Sequence, residues 1–157
     1  MALQAIPKGY EAAIPYLAVA NAAAALDFYK RAFGAVELMR MAGPDGRVGH
    51  AEIKIGNAMI MLADEHPEID FHSPKSLGIK RSPVGIHLYV DDVDAVYKRA
   101  LAAGATSMRE PADQFYGDRN AQLQDPSGHV WYLSTHTEDV TPEEMRKRTD
   151  AMAKQGA

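Results

Sequence analysis

FYGDRNAQLQDPSGHVWYLSTH, residues 115–136, contains two short β-type runs, 120–124 and 129–134, on either side of Asp125-Pro126-Ser127-Gly128. The Pro and Gly of that tetrapeptide punctuate a tight turn, so the stretch reads as a hairpin. Residues 49–62 are built the same way, with His-Ala-Glu-Ile-Lys-Ile leading to Gly56-Asn57 and then Ala-Met-Ile-Met-Leu. A repeated hairpin points to a repeated module, and other segments agree. Tyr29-Lys30-Arg31-Ala32 recurs as Tyr97-Lys98-Arg99-Ala100, each shortly before a Gly-Ala pair, and β-type runs at 14–19 and 85–90 precede them.

The fold class expected is α+β, with a strand-helix-three-strand module at 12–64, a connector at 65–83, a second such module at 84–136 and a C-terminal helix over 140–154. Asn21 suits the cap of the first helix, where Ala22, Leu26, Tyr29 and Phe33 share one face and Gly34 ends it. Asp91 or Asp92 suits the cap of the second, and Gly104 ends that one. Thr106 to Arg109 reads as a strand and residues 110–117 as a loop. Thr141-Pro142-Glu143-Glu144 combines a cap, a first-turn proline and a capping-box glutamate. Residues 1–12 form a polar lead-in. The connector is polar and interrupted by Pro67, Pro74 and Pro83, so its His66 and His72 read as loop residues rather than metal ligands.

The 157 residues, 46% hydrophobic and 24% charged, suit one soluble domain or two half-domains sharing a core. Net charge is -4 with both signs interspersed, which gives no electrostatic footprint for nucleic acid or an anionic membrane. The absence of cysteine excludes disulfides, thiolate metal sites and a thiol nucleophile. No basic segment followed by an apolar core opens the sequence, and the cytoplasm is the expected location. Neither a phosphate loop nor a dinucleotide fingerprint occurs.

The paired modules, Asp27-Phe28-Tyr29 in the first helix, Val90-Asp91-Asp92 entering the second, and the Asp125-Pro126-x-Gly128 turn resemble the vicinal oxygen chelate superfamily over residues 12–136. That superfamily includes glyoxalases, ring-cleaving dioxygenases, fosfomycin-resistance enzymes and bleomycin-resistance proteins, and the chain looks most like its PhnB-like branch. The resemblance implies a curved eight-stranded sheet around a cavity, with helices outside and commonly a homodimer. It also implies four metal-ligand positions in metal-dependent members, which fall here on Ile14, Met61, Gly85 and Tyr132. One offset of 71 residues carries Ile14 to Gly85 and Met61 to Tyr132. Ile and Gly bring no side-chain donor, and a soft Met thioether suits copper(I) better than a hard divalent cation. No metal is therefore expected at these positions.

Side chains two apart share a strand face, which adds Tyr16, His87, Tyr89, Met59, Val130 and Ser134 to the inward set. His50, Glu52 and Lys54 alternate with Ala51, Ile53 and Ile55, and their counterparts are Asn120, Gln122 and Gln124. His87 and Glu52 are the candidate catalytic bases, and Tyr16, His50, Met61, Tyr89, Tyr116, Arg119 and Tyr132 the candidate ligand-binding residues. Arg119 suits anchoring of an anionic group by its planar fork, with an internal salt bridge as the other reading. For His87 the other reading is a core histidine satisfied by a tyrosine. Three functions stand open at this point. The leading one is a metal-free protein that binds an aromatic or amphipathic small molecule. The second is a glyoxalase-type lyase or isomerase using His87 or Glu52, with or without a divalent metal held at a shifted site by His50, Glu52 and His87. The third is a non-catalytic dimeric scaffold.

Overall fold

Asn21 and Asp92 each turn an extended chain into a helix by accepting a hydrogen bond on the side chain, from Ala24 N at 2.9 Å and Ala95 N at 3.0 Å. These caps fix the layout of a computed structural model that describes residues 3–155, so the first two residues of the lead-in lie outside it. The chain divides into two units. One runs up to Arg81 and includes Pro126–Gly128; the other holds Ser82–Asp125 and the chain from His129 onward.

In the first unit, β1 (Tyr16–Val19) leads into α1 (Ala22–Phe33), then β2 (Val36–Ala42), β3 (Val48–Ile55) and β4 (Ala58–Asp64). The second repeats this with β5 (Gly85–Tyr89), α2 (Val93–Ala103), β6 (Thr106–Asp113), β7 (Asp118–Gln124) and β8 (Val130–His136), and adds α3 (Pro142–Gln155). Each module's first strand lies parallel to its last, giving the orders β1-β4-β3-β2 and β5-β8-β7-β6. The strands of the described residues thus form two four-stranded sheets, one ladder per module. Tyr16 pairs with Met61 and His87 with Tyr132, so the offset of 71 residues holds in the hydrogen-bonded register itself. The same pairing puts β5 at the end of its ladder.

Asp64 and Thr135 occupy equivalent places and do equivalent work. Asp64 accepts from Ala22 N and Val48 N, both at 2.7 Å, while Thr135 Oγ1 accepts from Val93 N at 2.8 Å and donates to Val90 O at 2.9 Å. Each ties the first turn of its helix to the last strand, satisfying a backbone donor that a helix start leaves unpaired.

One face of each sheet is closed by its helix. Ala22, Ala25, Leu26 and Tyr29 of α1 are buried over β3 and β4, where Ala51, Ile53 and Leu62 are fully enclosed. In the second unit α2 buries Val93, Val96, Tyr97 and Ala100 over a sheet that encloses Leu123, Trp131 and Leu133. The opposite faces, bearing Tyr16 and Met61 or His87 and Tyr89, keep partial exposure.

The structure differs from the sequence reading at β6 and in the connector. β6 runs on to Asp113 because Pro111 falls between the paired residues Arg109 and Ala112, at a register shift where its missing N–H breaks no regular pair. The connector holds one turn of 3-10 helix (Pro67–Ile69) and a bridge between His66 and Phe71. Within it Ser73 is fully buried, its N–H donating to Glu65 Oε1 at 2.6 Å. Among the described residues no helix is long and apolar enough to cross a membrane.

Candidate functional site

The open face of the second sheet carries a stack of three rings. His87 lies between Tyr89 (centroids 5.0 Å apart, planes at 17°) and Tyr132 (6.2 Å, 24°). Strand geometry explains the stack: His87 and Tyr89 are two apart on β5, and Tyr132 is the register partner of His87 on β8. His87 Nε2 meets the buried Ser134 hydroxyl at 2.9 Å, so its partner is a serine and the ring itself is left exposed. Tyr89 is 59% exposed, and its hydroxyl donates to Asp118 Oδ2 at 2.6 Å. That bond raises the Tyr89 pKa and keeps the phenol neutral. Burial pushes Asp118 up, but hydrogen bonds from Tyr89 and His136 outweigh it and leave the carboxyl below its ordinary range. Tyr116 lies near Tyr89 and accepts from Asn120 Nδ2, while Arg109 donates to Asn120 Oδ1.

Gly85 belongs to this face and bears on metal binding. A Cβ built on it would lie 2.2 Å from Tyr132 Cε2, so the tyrosine ring already fills the space that a side chain at residue 85 would need. Two of the four ligand positions implied by the superfamily are thus taken by one phenol. Among the described residues no group of three His, Asp or Glu side chains is placed to hold a metal ion. The donor set does not fit a divalent ion.

The first unit builds something different. Tyr16 Oη lies 2.8 Å from His50 Nδ1, His50 Nε2 lies 3.1 Å from Glu52 Oε1, and Tyr10 Oη donates to Glu52 Oε2 at 2.6 Å. Glu52 is only 5% exposed, and its pKa is lowered by the Tyr10 hydroxyl, with burial opposing and His50 adding to the effect. Tyr16 is pushed up by burial and by the Glu52 charge. Phe71 meets the Tyr16 ring edge-on at 5.8 Å, and Met61 is the register partner of Tyr16. A cavity of about 450 Å³ lined by His50, Met41 and His66 lies alongside. Tyr10 sits in the lead-in, and only its distance from Glu52 in space reveals it.

Arg119 falls on the other face. It alternates with Asn120 and Gln122, and its guanidinium makes a two-pronged pair with Asp94 of α2 at 2.6 and 2.9 Å plus a bond to Asp113 at 3.1 Å. Its fork is occupied by these two carboxylates, Asp94 first, which raise its pKa further, so the structure gives the internal salt bridge rather than the ligand anchor.

Similar proteins set this geometry in context. A family model described as the Glyoxalase/Bleomycin resistance protein/Dioxygenase superfamily matches residues 12–133. An uncharacterized protein of Mycobacterium bovis is 45% identical over 145 residues, spanning 90% of this chain and 92% of its own. Among solved structures, TioX from Micromonospora sp. ML1 matches with a TM-score of 0.59 at 23% identity, covering 83% of this chain and 100% of its own. The fosfomycin resistance protein FosX from Listeria monocytogenes, complexed with Mn(II) and dihydroxypropylphosphonic acid, matches with a TM-score of 0.63 at 19% identity, covering 88% and 96%.

Proposed function

The chain belongs to the Glyoxalase/Bleomycin resistance protein/Dioxygenase superfamily, and from that premise we propose that it is a metal-free, PhnB-like member that binds a small aromatic or amphipathic molecule. The observation that carries this reading is the Tyr89–His87–Tyr132 stack on an uncovered sheet face. An aromatic row that ends in a ring 59% exposed offers a further ring an apolar surface and a face to stack on. The Tyr132 ring in the space of a residue-85 side chain supports the metal-free part.

Tyr89→Ala is expected to weaken binding of an aromatic probe such as anilinonaphthalene sulfonate by about one to two orders of magnitude, the worth of ~1.5–3 kcal/mol for a large apolar side chain. Tyr89→Phe, which keeps the ring, should bind within about threefold of the wild type, since stacking depends on ring area more than on the hydroxyl. Titration calorimetry with EDTA present checks both. Binding that requires an added divalent metal, or that ignores Tyr89→Ala, refutes the reading.

The same proposal includes a homodimer. β2 ends its ladder, and Val36, Leu38 and Met41 on it are all well exposed, an apolar edge of the kind proteins normally cover. Sedimentation velocity at micromolar concentration should give a species of twice the 17.1 kDa chain mass. A monomer alone would count against it.

A further inference from the structure

We propose that Tyr16, His50, Glu52 and Tyr10 form a proton relay, with the Tyr16 hydroxyl as a general base toward an uncharged aromatic carbon acid. The relay lies wholly in the first unit and does not rest on the aromatic stack. A carboxylate cannot donate, so Glu52 Oε1 must accept a hydrogen bond from His50 Nε2–H, which fixes the neutral imidazole as the Nε2–H tautomer. His50 Nδ1 then carries the lone pair and accepts the Tyr16 hydroxyl proton at 2.8 Å. The second carboxylate oxygen is held by Tyr10, so Glu52 is fixed from both sides in a nearly closed site. The order carboxylate, imidazole, hydroxyl is the arrangement by which enzymes turn a weak hydroxyl into a proton acceptor.

Tyr16, exposed over nearly half its surface, is the most open of the four and is the catalytic residue of the set. Its surroundings select the substrate class, because Phe71 and Met61 offer apolar contact beside the hydroxyl. In the reaction, the substrate C–H bond breaks and its proton joins Tyr16 Oη as the Tyr16 proton passes to His50 Nδ1. The imidazolium formed rests against Glu52. The electron pair left on carbon expels the substrate's own leaving group or takes a proton at a neighbouring atom, and the relay returns its proton to solvent. The second module has no such relay: Asn120 and Gln122, which cannot titrate, stand where His50 and Glu52 stand in the first.

Nitrobenzisoxazole tests this without a known substrate. Proton loss from its C–H drives formation of a nitrile and cleavage of its own N–O bond, releasing a coloured phenolate with no co-reactant. Wild-type protein in EDTA should exceed an equal concentration of free imidazole. Tyr16→Phe, which keeps the ring against Phe71, should lower kcat by about 10²-fold or more with KM within about twofold, as expected when a group acts on the proton and little on binding. His50→Gln and Glu52→Gln should do the same, and Glu52→Gln should also alter the pH profile. A Tyr16→Phe rate equal to wild type, or loss confined to His50→Gln, overturns the relay. Ring nitrogen resonances of His50 in the wild-type protein give a second test independent of any variant: the Nε2–H tautomer is expected, and the Nδ1–H tautomer overturns it. Anilinonaphthalene sulfonate binding retained in Tyr16→Phe while turnover is lost separates this result from failure of the aromatic-binding reading.

Discussion

Trp131→Ala is expected to remove about 3–5 kcal/mol of folding stability, a large share of the ~5–15 kcal/mol that holds a domain together. Trp131 is fully buried on the helix side of β8, level with Ile86 in the parallel register, so its removal empties the centre of the second unit. Its indole N–H also donates to Asp125 Oδ2 at 3.1 Å, and Asp125 Oδ1 accepts from His129 N at 3.0 Å. One carboxylate therefore links the core to the turn of the second hairpin. Trp131→Phe keeps much of the apolar volume and loses that donor, and should cost about 1–3 kcal/mol. Urea unfolding followed by far-ultraviolet circular dichroism is the measurement, because Trp131 is the sole tryptophan and its variants lack the usual fluorescence signal. A midpoint within error of wild type for Trp131→Ala would contradict the packing described.

Gly117→Ala is the second large effect. Gly117 has φ of 93°, and a Cβ there would lie 2.2 Å from the backbone oxygen of Glu138 and 2.9 Å from Val140 Cγ2. The obstacle is backbone, and it is tied down: Gly117 O accepts from Thr137 N at 2.9 Å, Glu138 N at 3.0 Å and Thr137 Oγ1 at 3.0 Å. Relief of the clash breaks these bonds. Positive-φ strain of ~1–3 kcal/mol and overpacking of ~1–3 kcal/mol act together, so a loss of at least about 3 kcal/mol is expected. The damage should centre on the segment leading to α3, where Arg148 joins Glu138 and Phe115 O. Hydrogen exchange in residues 137–148 should rise well before that in β7 and β8. Uniform protection equal to wild type would refute it.

The repeat was legible because turn and cap chemistry is local. Asn21 and Asp92, the two hairpins and the positions carried by the 71-residue offset follow from residues close in sequence. The Tyr-Lys-Arg-Ala identity was a looser guide. The helix caps are 71 residues apart, which sets Ala100 rather than Tyr97 level with Tyr29, so the matching tetrapeptides occupy different turns of their helices. Burial at both tyrosines explains the shared residue type without shared position. The face of each strand was also readable from alternation, and of the two readings open for Arg119 its pairing with Asp94 is the internal salt bridge. What periodicity could not reveal was a contact across 42 residues, from Tyr10 in an irregular lead-in to a carboxylate on β3. Nor could it show that the Tyr132 ring lies over Gly85, since that depends on a side-chain direction.

Gly85 and Tyr132 share one volume, and this couples their fates. A side chain returned to residue 85 meets the ring, while a shortened residue 132 opens a hole beside a neighbour with nothing to fill it. A residue-85 side chain therefore requires the Tyr132 ring to swing aside, so what fits at one position depends on the residue at the other. The two positions are therefore coupled, and a donor placed at residue 85 would have to be accompanied by a displaced or smaller residue 132.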